Sequence, residues 1–403
     1  FDSFGAPSVY SGRSYFLLYW VAISMSKTII IIGAGLAGLS AALQAAENGC
    51  NVKLVSSLPS ERAQSVMAEG GINAALNTKD ENDSPEEHFT DTIKAACGLA
   101  DPNAVWGMTQ AAPELVHWLL KLGVKFNMSG YDDVDLRNFG GQKKKRTAFA
   151  QSDTGKQIMT AMIDAVRRKE ASGMVERFSH HSFLTLRLCG NICCGCVIRD
   201  EYSQETVELP GNAVIVASGG MHGLFGNTTG SLSNTGEVTA ELFRLGVPLA
   251  NGEMIQYHPT TVKCGGKRML ISEAARGEGG RLFAMKDGKQ WYFMEEKYPE
   301  LGNLMPRDIT AREIWKVSHE SEVFLDMTEI SDEIISNKLS GLADDCMTYL
   351  HKDIRKEPVS VLPGIHYFMG GILVDEQHRT PIQNLYAAGE CCAQYHGANR
   401  LGG

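Results

Sequence analysis

Hydrophobic positions first organise at Lys27–Ile32, where KTIIII is a β-branched run of the buried-strand type. GAGLAG (33–38) follows. LSAALQAAENG (39–49) is then Ala- and Leu-rich at helical spacing until Gly49 stops it, and NVKLVSS (51–57) is a second strand. The order strand, glycine loop, helix, strand is a βαβ unit carrying G-x-G-x-x-G, and it predicts dinucleotide binding. Gly33, Gly35 and Gly38 allow a tight turn and close backbone approach. The helix N-terminus then aims free N–H groups at a pyrophosphate. The second strand ends in serines rather than an acidic residue, so Ser56 or Ser57 takes the ribose side, and this feature alone leaves NAD open.

Two helical stretches follow, HFTDTIKAACG (88–98) and PELVHWLLKLG (113–123), and helical spacing returns at Thr154–Lys169. A strand-rich region spans about 174–218 and closes on NAVIVASGG, a second place for backbone to pass close to a nucleotide. From 259 to 363 the chain turns more charged and loop-rich, which reads as an inserted domain; strand and glycine signals return in HYFMGGILVD and NLYAAGE.

At 403 residues the chain exceeds one small core, and its net charge of −9 argues against nucleic-acid binding. The four-residue basic run Lys143–Arg146 reads as a solvated loop. Ten cysteines in a chain this long read as reduced thiols. The tightest group, LCGNICCGC, matches no common zinc spacing and alternates as a strand–turn–strand about Gly190-Asn191, so no metal site is expected. FLLYWVAI (16–23) is too short to span a bilayer, and Met25 opens MSKTIIII; residues 1–24 read as a non-native or disordered extension. LGG (401–403) ends in a glycine-rich turn and reads as a truncation.

Several charged and basic residues stand in segments dense in Gly, Pro and aromatics: His258, Glu273, Arg276, Arg307, His366 and Arg400. Three arginines and two histidines in one pocket suit a small dicarboxylate.

GAGLAG, MAEGG, FAQSDTG, VASGG, QYHPT, EAARGEGG, PRD, HYFMGG, AAGE and HGANRLGG occur in this order. The sequence resembles the flavoprotein subunit of the fumarate reductase and succinate dehydrogenase family from about residue 27 to 403. The resemblance implies an α/β fold: a Rossmann-like FAD-binding domain (25–258 and 364–403) with an inserted α+β capping domain (259–363). The family's C-terminal helical domain is missing from this sequence, which implies weakened FAD binding by the chain alone.

By the same resemblance, FAD lies on Gly33, Ala34, Gly35, Leu36, Ala37 and Gly38, with Ser56 near a ribose. Ala68, Gly70 and Gly71 approach the flavin, Ala150 and Asp153 contact the nucleotide, and Glu390 holds a hydroxyl. Glu237 stands where the family has an aspartate. His258, Ser272, His366 and Arg400 hold the substrate, and Arg400 also borders the cofactor; Ser272 keeps the hydroxyl of the family's threonine. Arg307 resembles the family's proton donor, with Glu273 and Arg276 as relay, while flavin N5 passes a hydride between succinate and fumarate.

Gln64, beside Ser65, stands where membrane-complex members carry the histidine bonded to FAD. A glutamine amide has no nucleophilic nitrogen, so FAD is expected to be non-covalent, with a lower potential that favours fumarate reduction. L-aspartate oxidase is the nearest alternative; an electron-transfer module without catalysis and a 3-ketosteroid dehydrogenase-like alkene reductase stand further off. The resemblance implies an iron–sulfur subunit as electron donor, no nucleic acid, and a cytoplasmic place reached at the membrane only through partner subunits.

Overall fold

A computed structural model describes residues 26–130 and 133–403; the expected extension at 1–24 and the Met25 start lie outside them. Strand β1 (Thr28–Ile32) leads through the glycine loop into helix α1 (Leu36–Glu47) and strand β2 (Asn51–Ser56). Helices α2 (Pro85–Ala95), α3 (Pro102–Leu122) and α4 (Thr154–Ala171) follow, and α4 feeds β3 (Val175–Ser179). An antiparallel meander, β4 (His181–Cys189), β5 (Ile192–Asp200) and β6 (Thr206–Pro210), returns to β7 (Ala213–Val216).

The capping region holds β8 (Ile255–Cys264), β9 (Lys267–Leu270), α5 (Glu273–Gly277), β10 (Arg281–Lys286), β11 (Lys289–Trp291), α6 (Arg307–Val317) and β12 (Val323–Asp326). Then β13 (Leu362–Phe368) and β14 (Leu385–Ala387) bring the chain back.

The central sheet is parallel in the order β14–β7–β1–β2–β3. Its register explains the unbroken isoleucine run. Side chains alternate between faces, and both faces are covered. Ile31 packs with Leu39, Leu43, Met159 and Met162 of α1 and α4. Ile30 and Ile32 point the other way, into a core shared with Phe183, Leu186 and Ile198 of the meander. A third core, around Leu282, Ile314, Leu325 and Leu342, belongs to the capping region and takes in Phe139.

Three expectations shift. The second helix of the 86–126 region begins at Pro102, not Pro113: Asp101 accepts the N–H groups of Asn103 (2.8 Å) and Ala104 (3.4 Å), and Ala104, Val105, Ala112, Val116 and Leu119 form one buried face through Pro113. The capped start and packed stripe override the proline's breaking tendency. The border at 258/259 falls inside β8, which pairs with β13 (His258 opposite Gly364), so the ladder crosses where composition changes. Arg146, the last residue of the supposed solvated loop, is wholly buried between Asp83 and Asp91.

Candidate active site

A cavity of about 1530 Å³ runs from the Gly33 loop, past residues 68–71, to His258, Ser272, Arg307, His366 and Arg400. Sites for drug-sized ligands reach only ~1,000 Å³, so this one has room for a dinucleotide and a small substrate together.

At the nucleotide end, glycine is obligatory. A Cβ on Gly33 (φ +112°) would sit 2.2 Å from the Ala217 carbonyl oxygen, and one on Gly38 would sit 1.8 Å from that of Gly33. Gly35, the N-cap of α1, offers no side-chain cap, and Leu36 N–H reaches Ser65 Oγ at 3.1 Å. The open helix terminus therefore faces the cavity with Ala34, Leu36 and Ala37 on its wall. Ser56 also lines it, and its buried Oγ has no protein partner, as a ribose-facing hydroxyl requires. Gly70 approaches the Phe139 ring so closely that a Cβ would lie 2.7 Å from it. Gln64, Ser65, Ala68, Gly71, Glu237 and Glu390 line the same wall. Glu390 is held by Phe368 N–H (3.1 Å) and His222 Nε2 (3.1 Å).

Gly38, Ala150, Asp153 and Arg276 do not line the cavity. Gly38 supports the loop from behind. Ala150 is buried, its N–H spent on Thr154 Oγ1 (3.0 Å), and Asp153 is the N-cap residue of α4. Their neighbours Thr154 and Gly155 reach the wall instead.

The far end is a buried charge network. Arg307 Nε donates to Glu273 Oε2 at 2.8 Å, and its Nη1 donates to Gln256 Oε1 at 3.0 Å. Arg276 Nη2 lies 3.3 Å from Glu273 Oε1, which also accepts Gly140 N–H at 2.9 Å. Gln256 Nε2 in turn donates to the Arg400 carbonyl at 2.6 Å. Arg400 stacks its guanidinium on Tyr367, 4.4 Å from the ring centre, and among the described residues it forms no ion pair. The rings of His258 and His366 lie 5.0 Å apart, and His366 Nδ1 meets Thr229 Oγ1 at 2.8 Å. Ser272 opens α5, where its Oγ accepts Ala274 N–H at 3.4 Å.

The titrations follow from this packing. Burial pushes Glu273 up, but the charges of Arg307 and Arg276 together outweigh it and hold the carboxyl below its ordinary range. Burial, then Arg307, lowers Arg400; burial lowers Arg276 against the pull of Glu273. Burial lowers both histidines well below their ordinary value, reinforced by Arg307 at His258 and by His258 at His366. Both rings are neutral at pH 7, so each keeps one donor and one acceptor.

Gln256, Thr229, His222 and Glu69 also belong to the site; Gln256 opens QYHPT and Glu69 stands in MAEGG, while no sequence signal marks Thr229 or His222. Glu69 lines the cavity and its pKa is pushed up to about 8, by burial first and then by Asp345, with Arg137 opposing. A raised carboxyl pKa contributes stability that is full below about 4.5 and lost as pH climbs through about 8. Melting temperature should therefore fall between about pH 5 and pH 8 and level off above it, and the fall should be shallower in Glu69→Gln; equal slopes in both proteins would refute this.

Residues 28–403 match the FAD binding domain family. The succinate dehydrogenase flavoprotein subunit of Bacillus subtilis (strain 168) is 43% identical, over 93% of this chain and 66% of its own length. The chain belongs to this flavoprotein family. An L-aspartate oxidase of Streptomyces coelicolor is 33% identical over 94% of this chain and 65% of its own. Among solved structures, E. coli quinol fumarate reductase superposes with a TM-score of 0.86 at 29% identity, covering 94% of this chain and 67% of that one. The chain thus spans about two-thirds of the length of these relatives. FAD is the family's cofactor, and the glycine cradle, the helix terminus on the cavity wall and the unpartnered Ser56 hydroxyl fit it. No helix among the described residues is long and apolar enough to cross a membrane.

Proposed function

We propose that this flavoprotein interconverts fumarate and succinate, working chiefly as a fumarate reductase, with FAD held non-covalently. One observation carries the substrate class. Arg307 and Arg400 line the cavity with Arg276 buried behind them, and among the described residues Glu273 is the one carboxylate paired with these three arginines. Buried guanidiniums left unpaired are costly, and a small dicarboxylate supplies the missing negative charge.

When bound, FAD supplies the hydride. Everything else falls to the chain. Arg400, His258, His366 and Ser272 hold the two carboxylates and set the alkene plane. Gln256 fixes both Arg307 and the Arg400 backbone, so donor and anchor keep one spacing. Arg307 uses Nε and Nη1 on protein partners, which leaves Nη2 to give a proton to the substrate carbon. An arginine is a poor acid in water. Here its Nε and Nη1 are fixed by Glu273 and Gln256, so the guanidinium is held in one orientation toward the cavity. Glu273, bonded to Nε, takes up a proton from solvent and passes it back, and Arg307 with Arg276 keeps that carboxylate ionised between turnovers. The same cations stabilise negative charge developing on the substrate.

The resemblance to membrane-complex members implies that electrons arrive through an iron–sulfur subunit docked on this chain. Purified with FAD, the protein should oxidise reduced viologen with fumarate and leave L-aspartate untouched under oxygen; the reverse pattern would assign it to the oxidases instead. Gln64 gives a second check. Denaturant should release all the flavin, so a denaturing gel should show no fluorescent band.

A further inference from the structure

The cysteine-rich hairpin LCGNICCGC serves neither the cavity nor the charge network. It is the turn end of β4 and β5, with the turn at Gly190 (φ +63°) and Asn191. Pairing runs Cys189 opposite Ile192 and Leu188 opposite Cys193, then jumps to Arg187 opposite Gly195. Cys194 is the extra residue of a β-bulge. Gly195 makes the bulge possible: its φ is +143°, and a Cβ there would lie 2.1 Å from the Leu209 carbonyl oxygen.

The bulge turns Cys194 toward Cys189, and their Sγ atoms stand 2.7 Å apart. That is roughly 0.7 Å beyond a bonded pair of ~2.04 Å. Cys189 is exposed and Cys194 half-buried. The other two thiols of the hairpin are shut in the core. Burial pushes Cys193 up and Cys196 up to about 12, so neither is a thiolate near neutral pH.

We propose that Cys189 and Cys194 form a reversible dithiol–disulfide site that takes low-molecular-weight disulfides as its oxidant. The exposed Cys189 thiolate attacks one sulfur of the external disulfide and expels one thiol, leaving a mixed disulfide. Cys194 then attacks Cys189 Sγ and expels the second thiol. Two protein thiols lose two electrons and two protons overall, and one external disulfide becomes two thiols. The hairpin end is tied to the loop before β14: Cys193 N–H donates to the Gln383 carbonyl (2.9 Å), Gln383 N–H to that of Asn191 (3.0 Å), and Asn191 Nδ2 to that of Pro381 (3.0 Å). Oxidation therefore locks the turn that braces the strand leading to Glu390. This site stands independently of the proposed activity.

Trypsin releases Leu188–Arg199, which contains all four thiols. After the folded protein has met oxidised glutathione, denaturation and alkylation should label two of them, Cys193 and Cys196, and the peptide should be about 2 Da lighter for the hydrogens lost. Dithiothreitol should restore four labels. Cys194→Ser should trap one glutathione on Cys189, whereas Cys193→Ser should still close the bridge. Four labels after oxidation, a stable glutathione adduct on the parent protein, or closure in Cys194→Ser would each overturn the proposal.

Discussion

Replacing Arg307 by alanine should cut fumarate turnover by ~10²–10⁴-fold, the range a positioned general acid contributes, or about 3–5 kcal/mol of barrier. FAD should remain bound. Arg307 leads helix α6 on the capping side, while the glycine cradle is built from β1, α1 and the loop after β7. Substrate affinity should fall far less than turnover, because Arg400, His258, His366 and Ser272 remain. Arg307→Lys separates charge from geometry. A lysine restores the positive charge but offers one ammonium where the guanidinium reaches Glu273, Gln256 and the substrate at once. It should recover little. Near-parent kcat in Arg307→Ala would remove Arg307 from the chemistry and shift the search for a proton donor to the neutral histidines.

The cradle and the charge network differ in how far they could be read from the chain. The βαβ unit is local: TIIII, GAGLAG and the alanine-rich helix are consecutive, and each carries its own periodicity. The charged end is not local. Glu273, Arg307 and Arg400 come from α5, the start of α6 and the irregular segment 399–403, and only the fold brings them together. Their residue types suggested an anion pocket, and the motif order suggested a family. Nothing in spacing revealed that Gln256 joins Arg307 to the Arg400 backbone, since that link spans 144 residues. The same limit explains the domain border. Composition changes near 259, but the β8–β13 ladder crosses that point because the backbone pairs regardless of charge. Ala150 and Asp153 show the converse: a motif can sit next to a site while its neighbours, Thr154 and Gly155, supply the wall.

Arg146→Ala should lower stability by about 3–5 kcal/mol, the cost of stripping one partner from a buried ion pair. The guanidinium gives Asp83 two bonds, Nη2 to Oδ1 at 2.8 Å and Nε to Oδ2 at 3.1 Å, and its Nη1 lies 3.0 Å from Asp91 Oδ2. All three side chains are almost fully shielded from solvent. Without the arginine, two carboxylates share a dry pocket with no cation. They must take protons or draw in water, so the deficit should shrink as pH falls from 8 to 5. Arg146→Met combined with Asp83→Asn and Asp91→Asn should recover part of the loss by removing the stranded charges. The damage should also reach the cavity. Arg146 precedes Thr147, whose Oγ1 bonds Asn73 Oδ1 at 2.6 Å, and Ala148 pairs with Ile72 just beyond the Gly70–Gly71 approach. A loosened 146–148 segment frees that loop, so flavin should leave the variant at lower urea than the parent. Matching urea midpoints for the variant and parent at pH 8 would show that the pair contributes little and that packing alone holds the loop.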